Sequence, residues 1–155
     1  MGSPAKRMIQ NVMYLLIMSS FIFDSYYKYY NLSSEADMLR SKYQHLQEYL
    51  SRNFNGFQLP IKSEIVSSNS FMIIQVYAII QGLSAMLVLI GKRQFAWMLI
   101  LLTSVHLFVV HNPNYKNTTE VDKQRAYKHI CGDLCLIATL IMTTGFKRLP
   151  KLKLN

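Results

Sequence analysis

Charge is what this chain has little of. Of its 155 residues, 16% are Asp, Glu, Lys or Arg, while 51% are hydrophobic. A soluble domain is nearer a quarter charged. The few charges also leave long stretches empty. None falls between Met8 and Phe23 or between Phe71 and Gly91. From Gln94 to Val110 the one titratable group is His106, and from Ile130 to Phe146 the one charge is Asp133. A bilayer core of roughly 30 Å takes about 20 apolar residues of helix, so these stretches read as membrane spans, the last two by borrowing flanking residues, and an ordinary soluble domain is excluded. Cysteine is scarce as well. Cys131 and Cys135 are the only two, which excludes a disulfide framework. They share a helix face at i,i+4, and packing is the preferred reading of that pair.

Signatures of catalysis are missing too. There is no P-loop, no GxGxxG, no HExxH and no nucleophile elbow, so no catalytic centre, cofactor or metal site is expected. The first apolar run is followed by Asp24 and a cluster of tyrosines, not by a small-residue cleavage site, and it reads as a retained span. Lys6 stands where a myristoylation signal needs Ser or Thr. No repeat or low-complexity tract interrupts the chain.

What remains is an all-α pattern in one membrane domain covering residues 1–155. Four spans are expected at about 8–30, 69–90, 95–110 and 126–146. The first ends in Tyr26, Tyr27, Tyr29 and Tyr30, an aromatic belt suited to the headgroup layer. Ser34 and Asp37 resemble a capping box, after which Leu39, Tyr43, Leu46 and Leu50 recur at helical spacing. An amphipathic helix over about 34–54 is therefore expected, lying on the membrane or on the bundle. Gly91-Lys92-Arg93-Gln94 makes a tight turn, so spans two and three run antiparallel. A basic tail, 147–155, closes the chain.

The net charge is +9. Because the basic residues flank apolar spans, anionic lipid headgroups are the expected partner and nucleic acid is not. With four spans, the N-terminus, the Lys92 turn and the tail share one side, and its basic residues crowd against the span ends. Both termini are accordingly placed on the inner, matrix or cytosolic, side.

Ionisable groups inside a span are costly and are functional candidates by default. By depth, Asp24, Gln75, His106 and Asp133 fall in one layer on the outer side of the midplane. Lys28 flanks Asp24, and His129 flanks Asp133, each at i,i+4. A polar layer that pins helix packing is the preferred reading. A cavity for a ligand, a proton or a quinone headgroup is the sharper one. A metal site lacks any short-spaced ligand motif.

Four segments together resemble the DoxX-like superfamily, and within it the HR-like lesion-inducing proteins. They are Phe21-Ile-Phe-Asp-Ser-Tyr-Tyr-Lys-Tyr-Tyr, Gln81-Gly-Leu-Ser-Ala-Met-Leu-Val-Leu-Ile-Gly-Lys, Val109-Val-His-Asn-Pro-Asn-Tyr, and Tyr127-Lys-His-Ile-Cys-Gly-Asp-Leu-Cys-Leu. The surfeit-locus cargo receptors are longer relatives. The likeness covers nearly the whole chain, although Leu134 and Ala138 stand where glycines are usual in the last span. It implies a four-helix membrane bundle with no catalytic residue. Some such relatives are accessory subunits of membrane oxidoreductases, and others sort or chaperone clients in the endoplasmic reticulum.

Two functions follow as expectations. The first is an accessory, structural subunit of a larger membrane complex such as a mitochondrial respiratory assembly, with other membrane subunits as partners. The second, ranked just behind it, is an endoplasmic-reticulum cargo receptor or chaperone. For the second, Lys151 and Lys153 supply a candidate dilysine retrieval signal, while Asn31 and Asn117 supply glycosylation sequons.

Overall fold

A computed structural model describes the backbone of residues 4–110 and 119–145, with side-chain surroundings for 11–110 and 119–142. The basic tail with Lys151 and Lys153, and Asn117, lie outside the described residues. The chain forms helices α1 (Pro4–Tyr30), α2 (Leu32–Asn53), α3 (Ser63–Leu89), α4 (Ala96–Val110) and α5 (Glu120–Gly145), with a 3-10 turn at Arg93–Phe95 leading into α4. No strand occurs among the described residues, and the fold is all-α.

Asn31 separates α1 from α2 without ending the backbone ladder. Its N–H still reaches Tyr27 O at 2.9 Å, and its own carbonyl accepts from Glu35 N at 3.1 Å. Its side chain also donates to Tyr27 O at 3.1 Å. The chain therefore bends there but keeps its direction. After Asn53 the helix stops in a left-handed cap: Asn55 adopts φ 48, and Gly56 N donates back to Ser51 O at 2.9 Å. Gly91, at φ 98, does the same work after α3, with Lys92 N donating to Leu87 O at 2.9 Å. That turn sends α4 back along α3.

The long α3, roughly 40 Å at 1.5 Å per residue, is the spine. Helix α1 runs antiparallel along its C-terminal half, where Tyr14 Oη donates to Val88 O at 2.7 Å and Ser25 Oγ to Ala78 O at 2.6 Å. Helix α2 takes the N-terminal part. Arg40 Nε donates to Ser67 O at 3.0 Å and to Ser70 Oγ at 2.7 Å, and Tyr43 Oη donates to Ile61 O at 2.7 Å. Its buried stripe is Ala36, Tyr43, Leu46 and Leu50. Of the two placements open to an amphipathic helix, on the membrane or on the bundle, α2 takes the bundle. The main apolar core draws on all the remaining helices: Met18 and Phe21, Ala85 and Val88, Ala96 and Leu99, and Leu140.

Polar groups are buried beside the apolar core, and bulky apolar groups face outward. Ser25, Lys28, Ser70, Gln81, Ser84 and Thr103 are buried, while Phe23, Phe71, Met72, Trp97, Leu101 and Phe108 are exposed. By length and composition, Ser63–Leu89 and Arg93–Val110 can each cross a bilayer. Their apolar windows are only 33% and 22% buried within the molecule, unlike the core helix of a soluble protein. Among the described residues α1 and α5 do not pass that test. Asp24 and Lys28, and Asp133, interrupt their apolar runs.

Gly82 sits where α1 and α3 meet most closely. A Cβ there would lie 2.6 Å from Ser25 Oγ and 3.4 Å from Ser25 Cβ, whereas at Gly132 a Cβ would meet nothing within 4 Å. Gly82→Ala should lower resistance to unfolding in detergent by about 1–2 kcal/mol, despite alanine's better helix propensity. Gly132→Ala should not lower it. Adding Ser25→Ala to Gly82→Ala should restore part of the loss, as read by SDS titration of the purified protein.

Candidate functional site

Helical spacing places Asp24 and Lys28 one turn apart on the face of α1 that meets α3. Lys28 is only 5% exposed. A buried ammonium needs a counter-charge. Asp24 provides it through an ion pair to Lys28 Nζ. The same carboxylate oxygen, Oδ2, accepts from Gln81 Nε2 of α3 at 2.8 Å. Gln81 is buried, and its Oε1 has no hydrogen-bond partner among the described residues.

From Lys28 the cluster continues across α3 into α4. The ammonium lies 5.7 Å from the centroid of the Tyr77 ring, within reach of a cation–π interaction. The Tyr77 ring meets that of His106 at 5.8 Å with a 35° tilt. Two further carboxylates act on this centre. Asp133 of α5 is half-buried, and Lys28, Asp24 and His129 act on it electrostatically. Glu35, in the first turn of α2, lies in the field of Lys28 and Asp24. One buried lysine is thus surrounded by three acids drawn from three helices.

Asp24, Lys28, His106 and Asp133, all expected from the sequence, do converge. His129 is exposed and reaches the centre only through its field on Asp133. Gln75 is different: it is exposed on the outer face of α3, and Gln81 bonds Asp24 instead. The rotation of α3 about its axis makes that choice. Ser70, Ile74, Ala78, Gln81, Ala85 and Val88 are all buried on α3 and recur in steps of three and four, a stripe that passes Gln75 by. Tyr77 and Glu35 had no signal in the sequence either, since only tertiary packing brings α2 to the cluster. Cys131 and Cys135 carry exposed free thiols. Among the described residues no group of three His, Cys, Asp or Glu could hold a metal ion.

The centre carries hydrogen-bond donors, acceptors and charges that mostly engage one another, an arrangement that fixes helix register. Comparison with family models, curated proteins and solved structures gives no match.

Glu35 titrates in a way that can be followed. Burial pushes its carboxyl above the usual carboxylate range, Lys28 pulls it back, and Asp24 adds to the rise. A group whose folded pKa is raised adds most to stability below its unfolded pKa, and that contribution is lost as pH rises through the folded value. Glu35→Gln should therefore raise the Tm of the detergent-solubilised protein at pH 7.5 and leave it unchanged at pH 4. Thermal melts across that interval check it.

Proposed function

We propose that the chain is an integral membrane protein of four spans, α1, α3, α4 and α5, and that it serves as a non-catalytic structural subunit of a larger membrane assembly. The apolar exterior, with polar groups held inside beside the core, carries this reading. Lysine, glutamine and serines lie inside, and bulky apolar side chains lie outside, as a lipid environment requires. Asp24, Lys28 and Asp133, which interrupt the apolar runs of α1 and α5, belong to the interior cluster, so their cost in a bilayer is offset by partners. Exposed Val12, Met13, Leu15 and Leu16 on α1, and Leu134, Ile141 and Met142 on α5, suit lipid or the flank of another subunit. The tyrosines at the end of α1 then lie near the level of Phe71, where the apolar run of α3 begins.

The cluster supports a packing role more than a catalytic one, because its central ion pair is engaged from two helices at once. Helix α5 leaves most of its surface free: Leu140 is its one fully buried described side chain. That surface is available to a neighbouring subunit. The net charge of +9 favours a membrane with anionic lipids. The resemblance to the DoxX-like superfamily, which includes accessory subunits as well as endoplasmic-reticulum proteins, is compatible with this reading, and we place the mitochondrial inner membrane ahead of the endoplasmic reticulum.

Extraction from the native membrane in mild detergent, followed by native electrophoresis and mass spectrometry, tests this. The protein should stay in the membrane pellet through alkaline carbonate and migrate at fixed stoichiometry within a large complex of other membrane subunits. Recovery with coatomer and varied secretory clients would instead mean a cargo receptor.

A further inference from the structure

Beside the polar cluster, α2, α3 and α4 enclose an open pocket of about 90 Å³. Leu39, Ile74 and Val105 form apolar walls, Tyr77 and His106 stand at one end, and Glu35 is its one carboxylate. Glu35 is half-buried, yet no hydrogen bond or ion pair reaches its carboxylate from the described residues. Lys28, the cation whose field acts on Glu35, is already held by Asp24.

We propose that this pocket binds the ammonium headgroup of a single-chain amphiphilic amine, with Glu35 as its counter-ion and the Tyr77 and His106 rings beside it. The charge of the surroundings selects the sign of the ligand. Asp24, Glu35 and Asp133 all act on Tyr77, and Lys28 is the one buried lysine among them. A carboxylate or phosphate headgroup would meet repulsion from Glu35 and the acids behind it. An ammonium gains a charge-assisted hydrogen bond from the carboxylate and attraction to the aromatic faces. The volume is small and suits the charged head and its first methylenes. The rest of the chain would follow the apolar wall outward past Ile73 and Val105, which are 40% and 52% exposed. Ile73 and Val105 both lie within the apolar runs of α3 and α4, so the mouth opens towards lipid chains. This placement rests on the reading of α3 and α4 as membrane spans.

Radiolabelled dodecylamine is the probe, and the full chain in phosphatidylcholine nanodiscs is the sample, with empty discs as background. At pH 7 saturable binding of one amine per chain is expected. Dodecanol and dodecanoate should not compete, and neither should phosphatidylethanolamine added to the discs. Glu35→Gln should weaken binding at least tenfold while circular dichroism and disc incorporation stay unchanged. Val105→Phe, which fills the pocket from α4, should abolish it. Insertion without saturable binding, equal binding by Glu35→Gln, or full competition by dodecanol or phosphatidylethanolamine would each overturn the proposal alone. Failure to enter the discs would overturn the span reading, and this proposal with it.

Discussion

The structure depends on how it keeps Lys28 charged and dry. An ammonium removed from water costs several kcal/mol even after relaxation. Asp24 one turn below, Gln81 across the helix interface and the Tyr77 ring above offset that cost from two different helices. The rotation of α1 about its own axis is fixed as a result. So is its sliding along α3, because Ser25 bonds Ala78 O one turn away and Gly82 leaves no room for any other approach. An apolar interface between α1 and α3 would tolerate several registers. This one, built around a charge, tolerates one.

From that fixed register the remaining architecture follows. Asn31 bends the chain without reversing it, so α2 must continue along the part of α3 that α1 leaves bare. Arg40 and Tyr43 then tie α2 to Ser67, Ser70 and Ile61, at the polar start of α3. The same placement brings Glu35 beside Tyr77 and His106 and creates the pocket between three helices. Packing and ligand chemistry thus share residues: the groups that hold the helices in place also set the charge of the cavity.

Much of this was legible in the sequence. Charge-free runs locate α3 and α4, the Gly91 turn makes them antiparallel, and i,i+4 spacing pairs Asp24 with Lys28. The stripe Tyr43, Leu46 and Leu50 marks the buried face of α2, although Ala36 takes the place expected of Leu39, which is only partly buried. Depth alone could not choose between Gln75 and Gln81. Both lie in α3, but only the buried stripe of that helix separates them, and depth carries no information on rotation. Nor could local pattern show that α2 would deliver a carboxylate to the cluster, because that contact depends on the bend at Asn31. The convergence of Asp133 from α5 was legible as depth but not as direction.

Replacement of the central pair, singly and together, gives the most direct test. Lys28→Met, Asp24→Asn and the double variant would be compared with the parent protein by reversible SDS unfolding in mixed micelles. If a buried charge sets the register, Asp24→Asn should be the worst of the three, at about 2–3 kcal/mol, because it strands the ammonium. The double variant should recover part of that loss, giving a coupling of at least about 1 kcal/mol. Losses that simply add, to within about 0.5 kcal/mol, would mean that Lys28 and Asp24 act independently and that some other contact fixes the bundle.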